Sequence, residues 1–379
     1  MYGAQLMEAL RAKAGTGVLA RPAANPGGRD PGPSTLTFFG AGGGRMRAAG
    51  CDIVVDAKDL AVVGITEIFS HLPKILGLYK KLVRSADERR PDLAVVIDSP
   101  AFNWRVARQM RRRGIPVVYY VCPQFWAWRQ GRVKLLRKYV NKALVIFPFE
   151  EKFYCDRGVD ATFVGHPLAD LPMPAIGREE YAAQHSLDPG KHWITLMPGS
   201  RRKEVKMNLP AMLEAARRFG AGYEFLLPVA RTLERSFLQQ LTGDRNVRFV
   251  ADALAALRHS RAGIVASGTA TVEAALMETP FVMVYRVSSL TYALGKPRVK
   301  VAHYAMANLI AGEEVVPELV QHRFTAGNIV TEMQKIISDG AAREKMIRGL
   351  KSVREKLKKP DGGGHPADRA AEIILGMLG

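Results

Sequence analysis

Two segments of this 379-residue chain combine residue types that hold phosphate. In Met197-Pro198-Gly199-Ser200-Arg201, an apolar run meets a helical one. Gly199 lets the backbone approach an oxyanion closely, and the helix start offers free N–H groups and partial positive charge. Arg201 can add a charge-assisted contact to a pyrophosphate. Alone, the segment also reads as an ordinary strand-to-helix turn with a serine cap. Ala266-Ser267-Gly268-Thr269-Ala270-Thr271-Val272-Glu273 repeats the arrangement, with Ser267, Gly268 and Thr269 as donors. Glu273 can accept from ribose hydroxyls, or simply favour a helix start. A third segment, Met306 to Gly312 followed by Val316 to Gln321, carries Asn308, Glu318 and Gln321. Each of those three taken singly reads as a turn or surface residue. Two phosphate-type helix starts in one α/β domain point to a nucleotide-sugar.

Asp98 closes the apolar run Leu93-Ala94-Val95-Val96-Ile97, so it stands at the carboxyl end of a strand. A carboxylate there can deprotonate an acceptor hydroxyl. With Ser99 and Pro100 following, capping of the next helix is an equal reading on local grounds. Asn103 and the loop Gln124 to Trp128 fall at equivalent strand ends. His166, in Gly165-His166-Pro167, reads as domain-junction structure or as ligand contact.

The span from Ser99 to Phe149 contains no acidic residue, while Arg105, Arg108, Arg129 and Arg132 are among its many cations. Trp126 and Trp128 sit inside it. A one-sided run with interleaved aromatics suits single-stranded nucleic acid or an interface with anionic lipid. Upstream, Ile65, Ile68, Phe69, Leu72, Ile75, Leu76 and Tyr79 recur at helical spacing, a core stripe that could also hold acyl chains.

The elements that must position these groups alternate between strand and helix. Val117 to Val121, Ala143 to Phe147 and Ala161 to Val164 read as buried strands beside Leu93 to Ile97. Helices lie at Trp104 to Arg113, about Arg132 to Tyr139, and Glu150 to Cys155. A second series places strands at Ile194 to Met197, Tyr223 to Pro228, Val247 to Val250, Ala262 to Val265 and Pro280 to Tyr285. Its helices are Leu209 to Phe219 and Arg231 to Leu241. This is the pattern of parallel sheets covered on both faces, with ligands beyond the carboxyl ends. Leu171 to Gly190 shows no sustained period and reads as a linker. The tail from about Thr331 is helical apart from Pro360 to Gly364. Arg21 to Ser34 is Pro/Gly-rich and reads as a loop. Phe38 to Gly44 reads as a strand and glycine turn, without a dinucleotide fingerprint because Arg45 takes its last position.

Formal charge is +19, which favours an anionic partner. Cys51, Cys122 and Cys155 show no CxxC spacing, which argues against a disulfide framework and a zinc site and fits a reducing cytoplasm. No signal peptide is evident at the start, and no apolar run spans a bilayer.

The segments Asp98-Ser99-Pro100-Ala101-Phe102-Asn103, Tyr119 to Trp128, Pro148-Phe149-Glu150, Val164-Gly165-His166-Pro167-Leu168, Pro198 to Arg201 and Ser267 to Glu273 together resemble the lipid-A-disaccharide synthases. The resemblance runs from Tyr2-Gly3-Ala4 to about Thr325, with Ala307 standing where relatives commonly have proline. It implies an α/β chain of two doubly wound, Rossmann-like domains, the glycosyltransferase-B fold. Residues 1–170 would be the acceptor- and membrane-facing domain, 171–190 the linker, 191–335 the UDP-sugar domain and 336–379 a helical tail. That tail would return to the first domain or reach a second subunit of a homodimer.

The implied reaction joins UDP-2,3-diacylglucosamine to 2,3-diacylglucosamine 1-phosphate with inversion, at the inner face of the cytoplasmic membrane. Asp98 would be the base. Gly199, Ser200, Arg201, Glu204, Ser267, Gly268, Thr269, Ala270, Glu273, Asn308, Glu318 and Gln321 would bind the donor. Asn103, Gln124, Trp126, Trp128, Arg129 and Arg132 would face the acceptor and the anionic membrane. No cofactor, metal or nucleic-acid partner is expected. Relatives carry a strand and a Gly-Glu-x-Ser-Gly-Asp-like loop before the Tyr2-Gly3-Ala4 equivalent. The expectation is therefore unpaired backbone in the first sheet, from a start lying upstream or from an inactive copy. The rival readings are another UDP-N-acetylglucosamine enzyme of this fold (peptidoglycan transferase or epimerase) and a basic nucleic-acid-binding protein.

Overall fold

The structure, a computed structural model, describes residues 2–14, 36–61, 68–243, 247–358 and 364–378. The Pro/Gly-rich loop at 21–34, Ile65, most of the breaker at 360–364, and the side chains of Ile68, Phe69 and Leu72 lie outside the described residues. The chain forms two compact units, 1–167 with 359–379, and 168–358.

In the first unit, β1 (Phe38–Gly42) pairs in parallel with β2 (Cys51–Asp56). A separate parallel sheet holds β3 (Ala94–Ile97), β4 (Val117–Tyr120), β5 (Lys142–Val145) and β6 (Ala161–Phe163) in that order. These strands are short runs rich in β-branched and aromatic residues, as a sheet buried on both faces requires. Val117 to Tyr120 are at most 1% exposed, and Val117 and Tyr119 share one core with Val145, Leu136, Met110 and Tyr154.

Helix Tyr2–Ala14 buries Leu6, Met7 and Leu10 and packs on helix Pro366–Gly376, which buries Ala370, Ile374 and Leu375. The pair is closed by Lys13 and Glu372 at 2.8 Å. The last helix thus groups with the first unit, whereas helix Ala341–Leu357 groups with the second and buries Met346, Leu350 and Val353 there. The expected tail is not one element.

Among the described residues, β1 and β3 each have a single hydrogen-bonded neighbour. Ala94 and Asp98 donate their N–H groups to Pro116 and Tyr120 on the β4 side. The period of two therefore turns the N–H groups of Val95 and Ile97 to the free edge. That edge and β1 line one cavity of about 600 Å³, closed by Leu6, Met7, Phe102 and Met110.

The second unit is one six-stranded parallel sheet of β7 (His192–Met197), β8 (Tyr223–Pro228), β9 (Val247–Val250), β10 (Ala262–Ala266), β11 (Phe281–Tyr285) and β12 (Glu318–Val320). Its order, β12-β11-β10-β7-β8-β9, is that of a doubly wound dinucleotide fold, with the reversal of winding between β7 and β10.

Residues 171–190 are not simply a linker. They include helix Arg178–His185, whose Tyr181 and Ala182 pack on Trp193, Leu226 and Val250 of this unit. The Arg178 guanidinium stacks 3.7 Å from the centre of the Trp193 ring. The division between units falls at 167/168 instead. The helix expected from Leu209 begins at Arg202 and carries Pro210 inside it, so its N-terminus directly follows the Pro-Gly-Ser-Arg turn.

Candidate functional site

Because β7 and β10 are neighbours, with Met197 opposite Val265, the two phosphate-type turns leave the sheet side by side at the reversal point. A crevice beyond the carboxyl ends of the strands at such a point is where ligands bind in open α/β sheets.

Gly199 has φ +117, a conformation that L residues rarely adopt, and a Cβ there would lie 2.7 Å from Glu204 Oε2. Glu204 accepts from the Ser200 N–H at 3.2 Å and pairs with Arg201 at 2.5 Å. The Ser200 carbonyl is held by Thr232 Oγ1 at 2.6 Å, and the Pro198 carbonyl by Asn208 Nδ2 at 2.9 Å. The turn is thus braced from both sides, with its N–H and guanidinium donors held together by one carboxylate.

At the second turn Gly268 has φ +132, and no side chain caps helix Thr269–Leu276. Its first N–H groups, at Thr269 and Ala270, lie in the turn that leaves helical donors unused. The Ser267 hydroxyl donates to the Tyr304 carbonyl at 2.8 Å and is not a spare donor. Glu273 is half-buried, has no hydrogen-bond or ion-pair partner among the described residues, and is raised above the usual carboxylate range by burial. A desolvated carboxylate without a protein partner is open to a ligand hydroxyl.

The remaining three donor candidates do something else. Asn308 is fully buried; its amide donates to Val316 O and Glu318, and its oxygen accepts from the Val315 and Val316 N–H groups. Glu318 accepts from the Tyr304 and Ala305 N–H groups at 2.9 to 3.0 Å. Gln321 exchanges two 3.0 Å hydrogen bonds with Val287. All three use polar atoms to hold the loops that border the two turns. Thr271, absent from the expected set, completes the brace by donating to Gly268 O at 2.7 Å and accepting from Met306 N at 3.2 Å.

In the first unit Asp98 and Ser99 are consecutive left-handed residues, φ +49 and +44. Such backbone costs about 1–3 kcal/mol per residue and survives only where its surroundings impose it. Here Asn103 Nδ2 donates to the carbonyls of Ile97 (2.8 Å) and Asp98 (2.6 Å), and Tyr119 Oη donates to Asp98 O at 2.7 Å. The helix that follows, Pro100–Arg112, has Ser99 at its cap position and no side-chain cap. The Asp98 side chain is exposed and makes no hydrogen bond or ion pair among the described residues, so capping does not occupy it. Asn103 is a brace for this turn.

The two tryptophans of the aromatic loop part company. Trp128 is 46% exposed, with the Arg129 guanidinium 4.1 Å from its ring centre. Trp126, expected to face outward, is 6% exposed and gives its indole N–H to Glu150. Gln124, Arg129 and Arg132 are exposed. Arg132 sits below the usual guanidinium range because of partial burial and then the nearby Arg129 and Arg105. Leu76 is 49% exposed, whereas Tyr79 and Leu82 pack on the core.

The lipid-A-disaccharide synthetase family profile matches residues 26–362. The chain belongs to that family. It is 49% identical to the lipid-A-disaccharide synthase of Koribacter versatilis over 381 aligned positions, covering 100% of this chain and 95% of that protein. With the Acidobacterium capsulatum synthase it shares 51% identity over 90% of this chain and 89% of the relative. Among solved structures, the glycotransferase of kitacinnamycin superposes with TM-score 0.62 at 16% identity, over 100% of this chain and 97% of that one. The calicheamicin glycosyltransferase gives 0.58 at 17%, over 100% and 95%. At those identities the likeness shows the glycosyltransferase-B fold.

Membership makes the chain a glycosyltransferase of lipid A disaccharide synthesis and disfavours the epimerase and nucleic-acid readings. No helix among the described residues is long and apolar enough to cross a membrane. The synthase-family motifs are the same segments whose backbone is strained or braced, which gives them a physical reason: Gly199 and Gly268 for their positive φ, Asn103 and Tyr119 for the turn at Asp98.

Proposed function

We infer that this chain transfers 2,3-diacylglucosamine from its UDP derivative to the 6-hydroxyl of 2,3-diacylglucosamine 1-phosphate, at an anionic membrane surface. The observation that supports the donor half is the pairing of two uncapped helix starts at the winding reversal, with Glu273, on the second of these helices, unpartnered among the described residues. The pyrophosphate takes the N–H groups near Ser200 and Thr269 and the Arg201 guanidinium, and Glu273 accepts from the ribose.

In the reaction, Asp98 takes the proton of the acceptor hydroxyl. The O6–C1 bond forms as the bond from C1 to the β-phosphate oxygen breaks, and UDP leaves with the electron pair. Inversion converts the α-linked donor to a β(1→6) disaccharide. Charge developing on UDP is met by donors already in place, so little reorganisation is needed. Trp128, Arg129 and Arg132 supply the cationic, aromatic surface for lipid headgroups and the acceptor phosphate.

The test is mass spectrometry of products after incubating the chain with both diacyl sugars. A disaccharide 1-phosphate and UDP are expected. Folded protein that binds UDP yet forms no such product would reject the acceptor assignment.

A further inference from the structure

Pro148-Phe149-Glu150 is a family segment that the reaction above leaves without a task. Glu150 is the third residue of helix Pro148–Cys155 and is 1% exposed. One of its oxygens accepts the Trp126 indole N–H at 2.8 Å. The other accepts the backbone N–H groups of Ile146 (3.2 Å) and Phe147 (3.1 Å), where β5 ends. A glutamate at this position ordinarily reaches back only to the backbone before its own helix. Here it also holds a side chain from the loop after β4.

The rest of the loop hangs from this point. The Trp126 ring meets Phe149 edge-on at 4.9 Å, and its carbonyl accepts from Gln130 Nε2 at 2.9 Å. Buried Tyr154, from the same helix as Glu150, donates its hydroxyl to Pro123 O at the start of the loop. Two and three residues beyond the anchored Trp126 stand Trp128 and Arg129, the exposed pair. Burying a carboxylate is unfavourable: burial lifts Glu150 to about 7 in spite of its three N–H donors. A cap alone would need no such depth.

We propose that Glu150 is a positioning residue for the acceptor: through Trp126 it sets where Trp128 and Arg129 stand, and so governs capture of the acceptor lipid but not of UDP. This rests on the reading that the aromatic loop meets the acceptor. In Glu150→Gln one amide oxygen can serve Trp126 or the end of β5, not both. Trp126→Phe removes the donor and leaves the carboxyl in place.

The test compares wild type, E150Q, W126F and the double variant in acceptor KM, UDP Kd and sedimentation with phosphatidylglycerol vesicles. Each single variant is expected to raise acceptor KM and weaken vesicle binding at least about tenfold, the loss of one charge-assisted hydrogen bond. UDP Kd should stay within about twofold, and the double variant should be no worse than the worse single one. Additive losses, loss of UDP binding in parallel, or a lowered Tm with unchanged KM and vesicle binding would each overturn it. Trp128→Ala separates the two layers. If W128A leaves acceptor KM and vesicle binding intact, the reading of the loop itself fails. If W128A is impaired and W126F is not, that reading stands and the role of Glu150 falls.

Discussion

Glu204 lies 2.5 Å from the Arg201 guanidinium and, through its other oxygen, accepts the Ser200 N–H at 3.2 Å. The carboxylate thus holds the very donors that a pyrophosphate would use. The Arg201 side chain is 80% exposed, so the pair contributes little stability and exchanges readily for a ligand.

Arg201→Ala is therefore expected to weaken UDP binding by roughly ten- to hundredfold while the melting temperature stays almost unchanged. Calorimetric titration with UDP beside a thermal melt checks both. Unchanged affinity would remove Arg201 from the donor site.

The strained turn at Asp98 predicts opposite effects on stability and turnover. Ser99→Gly, at φ +44, should stabilise the fold by about 1 kcal/mol or slightly more. Asp98→Asn keeps the shape and removes the base, so kcat should fall by about 10²–10⁴ with UDP binding retained. Full turnover in the asparagine variant would exclude Asp98 as base.

Two buried groups give opposing pH dependences. Glu150 is raised from 4.5 to about 7 by burial, so between those values the folded chain holds a proton that the unfolded chain has lost. Stability from this group declines as pH rises through that window. His166, 3% exposed against Phe147, is lowered from 6.5 to about 4 by burial. Here the unfolded chain holds the extra proton, so stability is lost as pH falls from 6.5 towards 4. Urea melts across pH 4–8 should show Glu150→Gln removing the first slope and His166→Gln the second. Identical slopes in wild type and variants would contradict both assignments.

The free edge of β3 predicts a pattern in amide exchange. Ala94 and Asp98 donate to the β4 side, while the Val95 and Ile97 N–H groups face the cavity. Val95 and Ile97 should exchange markedly faster than Ala94 and Val118 at neutral pH. Equal protection across the four would mean that this edge is covered.

The sequence alone determined the local chemistry of the two turns and the parallel α/β character of both units. Gly199 and Gly268 are read from composition because positive φ and uncapped helix starts depend on a few adjacent residues. Short β-branched runs such as Val117-Val118 announce burial on both faces for the same reason.

Only tertiary structure decided what each polar side chain touches. Nothing near Asn308 indicates that Val315, Val316 and Glu318 will consume it, and nothing near Trp126 distinguishes it from Trp128 until Glu150 arrives 24 residues later. The side-by-side exit of the two turns required β10 to pair with β7, 68 residues away in register (Val265 opposite Met197). Likewise it is packing on Tyr2–Ala14 that brings helix Pro366–Gly376 into the first unit. Backbone conformation is decided by near neighbours, whereas the desolvation of a carboxylate or an indole is decided by whichever distant segment closes over it.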